Sequence, residues 1–77
     1  MNIKMYGADW CSDCIHAKNF LNSKGIAFEY IVITDNDAAI AFLEKGNNGK
    51  RIIPTLDIDG EIHANPVING LIKIITQ

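Results

Sequence analysis

Apolar and polar positions along the chain change period several times, and each change marks a structural element. Residues 3–6, Ile3-Lys4-Met5-Tyr6, form a short strand candidate that stops at Gly7. A polar, loop-like Gly7-Ala8-Asp9-Trp10 follows. From Ser12 onward Ile15, Ala17, Phe20 and Leu21 recur at helical spacing, with Lys18, Asn19 and Asn22 between them and Gly25 as a stop. Residues 27–33 are apolar and β-branched apart from Glu29, which predicts a strand with much of its surface buried. Thr34-Asp35-Asn36-Asp37 offers N-cap side chains to a second helix over 38–45, and Gly46-Asn47-Asn48-Gly49 ends it.

Ile52-Ile53-Pro54 then leads into a strand in which Leu56 and Ile58 point one way and Thr55 and Asp57 the other. Asp59-Gly60 predicts a two-residue type I′ turn, and the chain returns as Glu61-Ile62-His63. Asn65 as N-cap and Pro66 at the first helical position open a last helix that buries Val67, Leu71 and Ile74. The predicted order is β-α-β-α-β-β-α, without an internal repeat.

A length of 77 residues accommodates one domain, spanning 1–77, near the small end of what builds a core unaided. The shares of 48% hydrophobic and 21% charged residues are those of a soluble globular protein rather than a disordered one. A net charge of -2 with no basic run removes the electrostatic footprint of a nucleic-acid binder. No signal-like apolar segment opens the chain and no stretch is long enough to cross a bilayer, so a cytoplasmic monomer away from membranes is expected.

Two cysteines, Cys11 and Cys14, lie in Trp10-Cys11-Ser12-Asp13-Cys14, where the first strand gives way to the first helix. They are too close in sequence to staple distant parts of a fold, and in a reducing compartment such a pair is catalytic or metal-binding before it is structural. Thiol–disulfide exchange needs a thiolate open to an incoming disulfide and a second thiol near enough to displace the mixed disulfide. Cys11, at the positive end of a helix, fits the attacker, and Cys14, inside the first turn, fits the resolving thiol. Asp9 and Asp13 place negative charge beside them. Half of a zinc site is the competing reading, but no second Cys-x-x-Cys exists and the imidazoles are only His16 and His63. Gly46-Asn47-Asn48-Gly49-Lys50 has the wrong glycine spacing for a phosphate loop.

These residues resemble the glutaredoxin family over nearly the whole chain, and most of all its mycoredoxin-type and related bacterial members with Trp-Cys-x-x-Cys. The marks are the cysteine motif, residues 47–55 around Arg51-Ile52-Ile53-Pro54-Thr55, the Asp59-Gly60 turn and Asn65-Pro66. The resemblance implies an α/β thioredoxin fold with a four-stranded mixed sheet and three helices. It also implies a cis bond before Pro54, packed beside the cysteines, with the Ile53 backbone pairing with the substrate's cysteinyl backbone. Arg51 matches a basic residue that binds the glycine carboxylate of glutathione, and Trp10 borders the site. The glutaredoxin Gly-Gly and Asp before the last helix are replaced by His63-Ala64-Asn65-Pro66, so the N–H groups of Val67 and Ile68 are left to receive a carboxylate.

The resulting expectation is an enzyme without a resident cofactor. It reduces mixed disulfides with a low-molecular-weight thiol such as glutathione or mycothiol, protein disulfides, or both. Disulfide-containing proteins are its partners, and a flavin-dependent disulfide reductase is a candidate electron donor. The alternatives are a dithiol donor served by a thioredoxin-type reductase, or an iron–sulfur binding module built on Cys11.

Overall fold

A computed structural model describes residues 2–66 together with Gly70 and Lys73. Its elements are β1 (Ile3–Gly7), α1 (Ser12–Ser23), β2 (Glu29–Val32), α2 (Asp37–Gly46), β3 (Thr55–Ile58) and β4 (Glu61–Ala64). One mixed sheet has the order β2-β1-β3-β4, with β1 and β2 parallel and the other pairs antiparallel. The third helix expected from the sequence, and the burial of Val67, Leu71 and Ile74 in it, lie outside the described residues.

Strand alternation distributes the two helices over the two faces. Ile3 and Met5 of β1 and Leu56 and Ile58 of β3 pack with Ala17 and Leu21 of α1. Tyr6, pointing the other way, packs with Ile33 and with Ala39 and Leu43 of α2. The register Ile3↔Ile58, Met5↔Leu56 and Tyr6↔Thr55 keeps each set on its own face, as the period of two requires. Tyr6 is therefore a core residue, stacked at 5.1 Å on the Phe42 ring.

The turn and cap chemistry follows the sequence at most points. Asp59 (φ 53) and Gly60 (φ 90) both take the positive φ of a type I′ turn. The Asp59 carboxylate accepts from the Asn2 N–H at 2.7 Å, and Asp57 accepts from the Gly60 N–H at 2.9 Å. Asn36 caps α2 by accepting from the Ala39 N–H at 3.1 Å.

Three expectations need correction. The predicted strand over 27–33 is shorter and less buried: Glu29 and Val32 are exposed because β2 is an edge strand paired only with β1. Ile15 belongs to the solvent side of α1, whose buried stripe is Cys14, Ala17 and Leu21. Asn65 has a left-handed φ of 42, not the extended backbone of an N-cap, and its N–H donates to the Pro54 carbonyl at 2.7 Å. This bond lies one residue beyond the last β3–β4 pair, Thr55↔Ala64, and ties the end of β4 to Pro54. Among the described residues no helix is long and apolar enough to cross a membrane.

Candidate functional site

The chain leaves β1 through Gly7 and Ala8, both buried, and turns at Asp9-Trp10 into α1. A backbone bond from the Cys11 N–H to the Ala8 carbonyl, 3.2 Å, closes this turn. Cys11 is the N-cap of α1, with extended backbone (φ -91, ψ 113). Its Sγ accepts from the Cys14 N–H at 3.2 Å, so the sulfur takes the place that a Ser or Asp oxygen occupies in most caps. The sulfur therefore stands at the positive end of the helix dipole, where it receives a backbone donor.

Cys11 is partly exposed, Cys14 is wholly buried, and both are free thiols. Burial is the largest cause that pushes the Cys14 thiol up to about 12, and the hydrogen bond and charge of Cys11 add to it. The Ala8 backbone and the Tyr30 hydroxyl pull the other way. One cysteine is therefore presented to solvent while the other is kept protonated inside.

Pro54 sits at the same end of the sheet. The β1–β3 register, carried one step past Tyr6↔Thr55, sets it opposite Gly7. The Ile53–Pro54 bond is cis, as the family resemblance implies, and Pro54 is buried. Two polar side chains hold this loop. Thr55, fully buried, donates through Oγ1 to the Ile52 carbonyl at 2.5 Å and accepts from Asn47 Nδ2 at 3.2 Å. Asn47 Nδ2 also donates to the Leu43 carbonyl at 2.8 Å, which ties the end of α2 to the loop.

Trp10, Arg51 and Ile53 come together around a cleft of about 490 Å³, whose other walls are Ile33, Thr34, Asp35, Asp37 and Ile40. Trp10 is 77% exposed. Arg51 is held at the rim by Nε, 3.3 Å from Glu44 Oε2, with 57% of its side chain exposed. Val67, the remaining site residue proposed from the sequence, lies outside the described residues. His16 is exposed, and His63 Nε2 stands 3.6 Å from Glu61 Oε1. Among the described residues no group of three His, Cys, Asp or Glu side chains is placed to hold a metal ion.

Sequence reasoning missed two parts of this site. Asn47 and Thr55 read as loop and strand residues, and only the folded register joins them. Tyr30 reads as one apolar position in a strand, yet its hydroxyl donates to the Ala8 carbonyl at 3.2 Å, beneath the cysteine loop. Neither carries a local signal.

A family model described as Glutaredoxin matches residues 3–63. Two Mycobacterium tuberculosis proteins that carry the name "putative glutaredoxin", from strains CDC 1551 / Oshkosh and H37Rv, are each 34% identical over 65 residues. The match covers 83% of this chain and 77% of each relative. Among solved structures, the thioredoxin-like protein BC3987 superposes with a TM-score of 0.81 at 29% identity, over 94% of this chain and 97% of that one. A buckwheat glutaredoxin–glutathione complex shares the fold with a TM-score of 0.73 at 19% identity, over 96% of this chain and 67% of that one.

Proposed function

The chain belongs to the glutaredoxin family, and from that membership we propose that it is a thiol–disulfide oxidoreductase with Cys11 as nucleophile and Cys14 as resolving thiol. The observation that carries this reading is the unequal pair: an accessible sulfur capping a helix and a buried thiol three residues on. The Cys11 thiolate attacks a mixed disulfide between a protein and a small thiol, takes up the small thiol and releases the reduced protein. A second small thiol, or Cys14, then frees Cys11. In the second case the Cys11–Cys14 disulfide is re-reduced by small thiols or by a flavin-dependent disulfide reductase. No resident cofactor takes part.

The cleft beside Trp10 supplies recognition. Ile53 borders it next to the cis-proline, where its backbone pairs with the extended backbone of a substrate cysteine, and Trp10 covers one side. The buckwheat relative was solved with glutathione, and a low-molecular-weight thiol is the partner proposed here. Arg51 meets its carboxylate through the Nη edge of the guanidinium, since Nε is engaged by Glu44. The Val67 N–H is assigned the same task at the other end of the ligand.

A turnover assay with a mixed-disulfide substrate, run with glutathione and with mycothiol, tests both the activity and the thiol. Cys11→Ser abolishes turnover with either reductant, and residual activity in that variant overturns the assignment of the nucleophile. Turnover retained by Cys14→Ser identifies the small-thiol route. Complete loss shows that Cys14 resolves every cycle.

A further inference from the structure

Tyr30 stands on β2 at the position paired with Met5 in the parallel ladder, so its side chain shares the α1 face with Cys14. A Cβ projected from Gly7 would lie 2.8 Å from Cys14 Sγ and 2.8 Å from Tyr30 Oη. The sulfur and the phenol oxygen therefore flank a single Cβ-sized space, which glycine leaves open. Lys18 Nζ lies 4.4 Å from the centre of the Tyr30 ring and fixes it from the outer side. In the resting arrangement the hydroxyl donates to the Ala8 carbonyl, an acceptor that the Cys11 N–H also serves. Tyr30 and Cys14 are side-chain hydrogen-bond neighbours, so rotation about the phenol C–O bond turns that hydrogen from Ala8 towards the sulfur.

We infer that Tyr30 is a positioning residue for the resolving step: its hydroxyl donates a hydrogen bond to Cys14 Sγ as that sulfur becomes a thiolate. The inference rests on the dithiol branch of the proposed function. In this step Cys14 Sγ attacks Cys11 Sγ of the mixed disulfide, the Cys11–Cys14 bond forms, and the bond from Cys11 to the small thiol breaks. Cys14 is oxidised and the departing sulfur is reduced and leaves as a thiolate, while the proton that Cys14 gives up passes to solvent. Tyr30 keeps its own proton throughout.

A buried thiolate bears a desolvation cost that only hydrogen-bond donors offset, and the Ala8 backbone and the Tyr30 hydroxyl are the groups that favour the Cys14 thiolate, of which Tyr30 is the side chain a substitution can remove. Burial and the nearby Cys14, Asp9 and Cys11 push the Tyr30 phenol up to about 12, so it remains a donor at neutral pH. With Lys18, these are the titratable groups around the hydroxyl among the described residues.

The symmetric disulfide of thionitrobenzoate separates the two steps in one experiment. Attack by Cys11 releases one coloured thiolate, and attack by Cys14 on the resulting mixed disulfide releases a second. Loss of a hydrogen bond to a charged sulfur lowers the thiolate fraction by about tenfold or more, and the greater nucleophilicity of the less stabilised thiolate returns about threefold of it. Tyr30→Phe, which keeps the ring under Lys18, is therefore expected to slow the second release by about threefold to tenfold while the first changes by less than about twofold.

The deficit in Tyr30→Phe should also shrink as pH rises and Cys14 ionises without help. Equal slowing of both releases, or no slowing of the second, overturns the inference and leaves the activity standing. Absence of a second release in the unaltered protein overturns the dithiol branch and the inference with it. Should Tyr30→Phe fold poorly, Tyr30→Trp, with a ring but a displaced donor, must show the same selective loss.

Discussion

The two faces of the sheet are built from different materials. On the α1 face the core cluster is apolar, from Ile3, Met5 and Leu56 to Leu21, and the buried stripe of α1 continues into Cys14. On the α2 face Tyr6 stacks on Phe42, Asn47 and Thr55 form a polar link, and the wall opens into the cleft of Trp10, Asp35, Asp37 and Arg51. Cys11 stands where the faces meet, at the end of the central strand β1. The sulfur proposed to resolve thus belongs to the core, and the groups proposed for recognition belong to the side that meets solvent. Changes on one face should alter stability and the second chemical step, and changes on the other should alter which disulfide is accepted.

Leu21→Ala is the strongest way to break this division. Leu21 is fully buried between α1 and the sheet, and truncating such a leucine costs about 2–5 kcal/mol, a large part of the stability of a small domain. A urea titration should show a much lower midpoint, while the folded fraction at low urea keeps an unaltered KM for its disulfide substrate. A loss under about 1 kcal/mol would mean that the α1 face tolerates collapse. A raised KM would mean that the two faces are coupled.

Alkaline pH sharpens the same contrast without mutation. The folded-state value of Cys14 is raised from 9.0 to about 12, and that of Tyr30 from 10.0 to about 12, both chiefly by burial. Below the unfolded values both groups are protonated in both states, so their contribution to stability is fully present. As pH climbs towards about 12 the unfolded chain releases these protons first, and stability falls. Reduced protein should lose urea resistance over this window. Cys14→Ser, which removes the larger source, should lose less. An equal decline in the two proteins would place the sensitivity elsewhere.

Much of this division is legible in the sequence, and the remainder shows what local pattern lacks. The strand and helix order follows from alternation and from punctuation by Gly25, Asn36 and Asp59-Gly60, because these residues act through their own backbone. Cys11 and Cys14 are legible for the same reason: three residues at the start of a helix settle which sulfur caps and which is enclosed. Tyr30 is different, since its approach to Cys14 depends on the parallel register Met5↔Tyr30 and on the missing side chain at Gly7. The Asn47–Thr55 bond likewise spans α2 and β3. Asn65 suits a helix cap by its type, yet an Asn tolerates left-handed backbone equally well, and its N–H goes to Pro54. Side-chain type constrains nearby backbone, whereas partners across the sheet appear only with the register.

The smallest expected effect lies in the cleft and bears on the choice of thiol. Asp35 and Asp37 share its wall with Arg51, whose charge is partly answered by Glu44, so a ligand carboxylate meets repulsion as well as attraction there. Asp35 is the cleaner position to alter. Its φ of 58 is left-handed, which Asn accepts, whereas Asp37 sits in the first turn of α2 and supports that helix end. Two unit charges about 8 Å apart in water interact by about 0.5 kcal/mol, a little over a twofold change in an equilibrium constant. Asp35→Asn should therefore lower the KM for a glutathione mixed disulfide by about twofold, with kcat unaltered. The KM for hydroxyethyl disulfide, which has no charge, should not move, and added salt should erase the difference because exposed charges are screened. Equal gains with both disulfides would show that Asp35 acts through the shape of the loop, and would remove charge from the account of how this cleft selects its thiol.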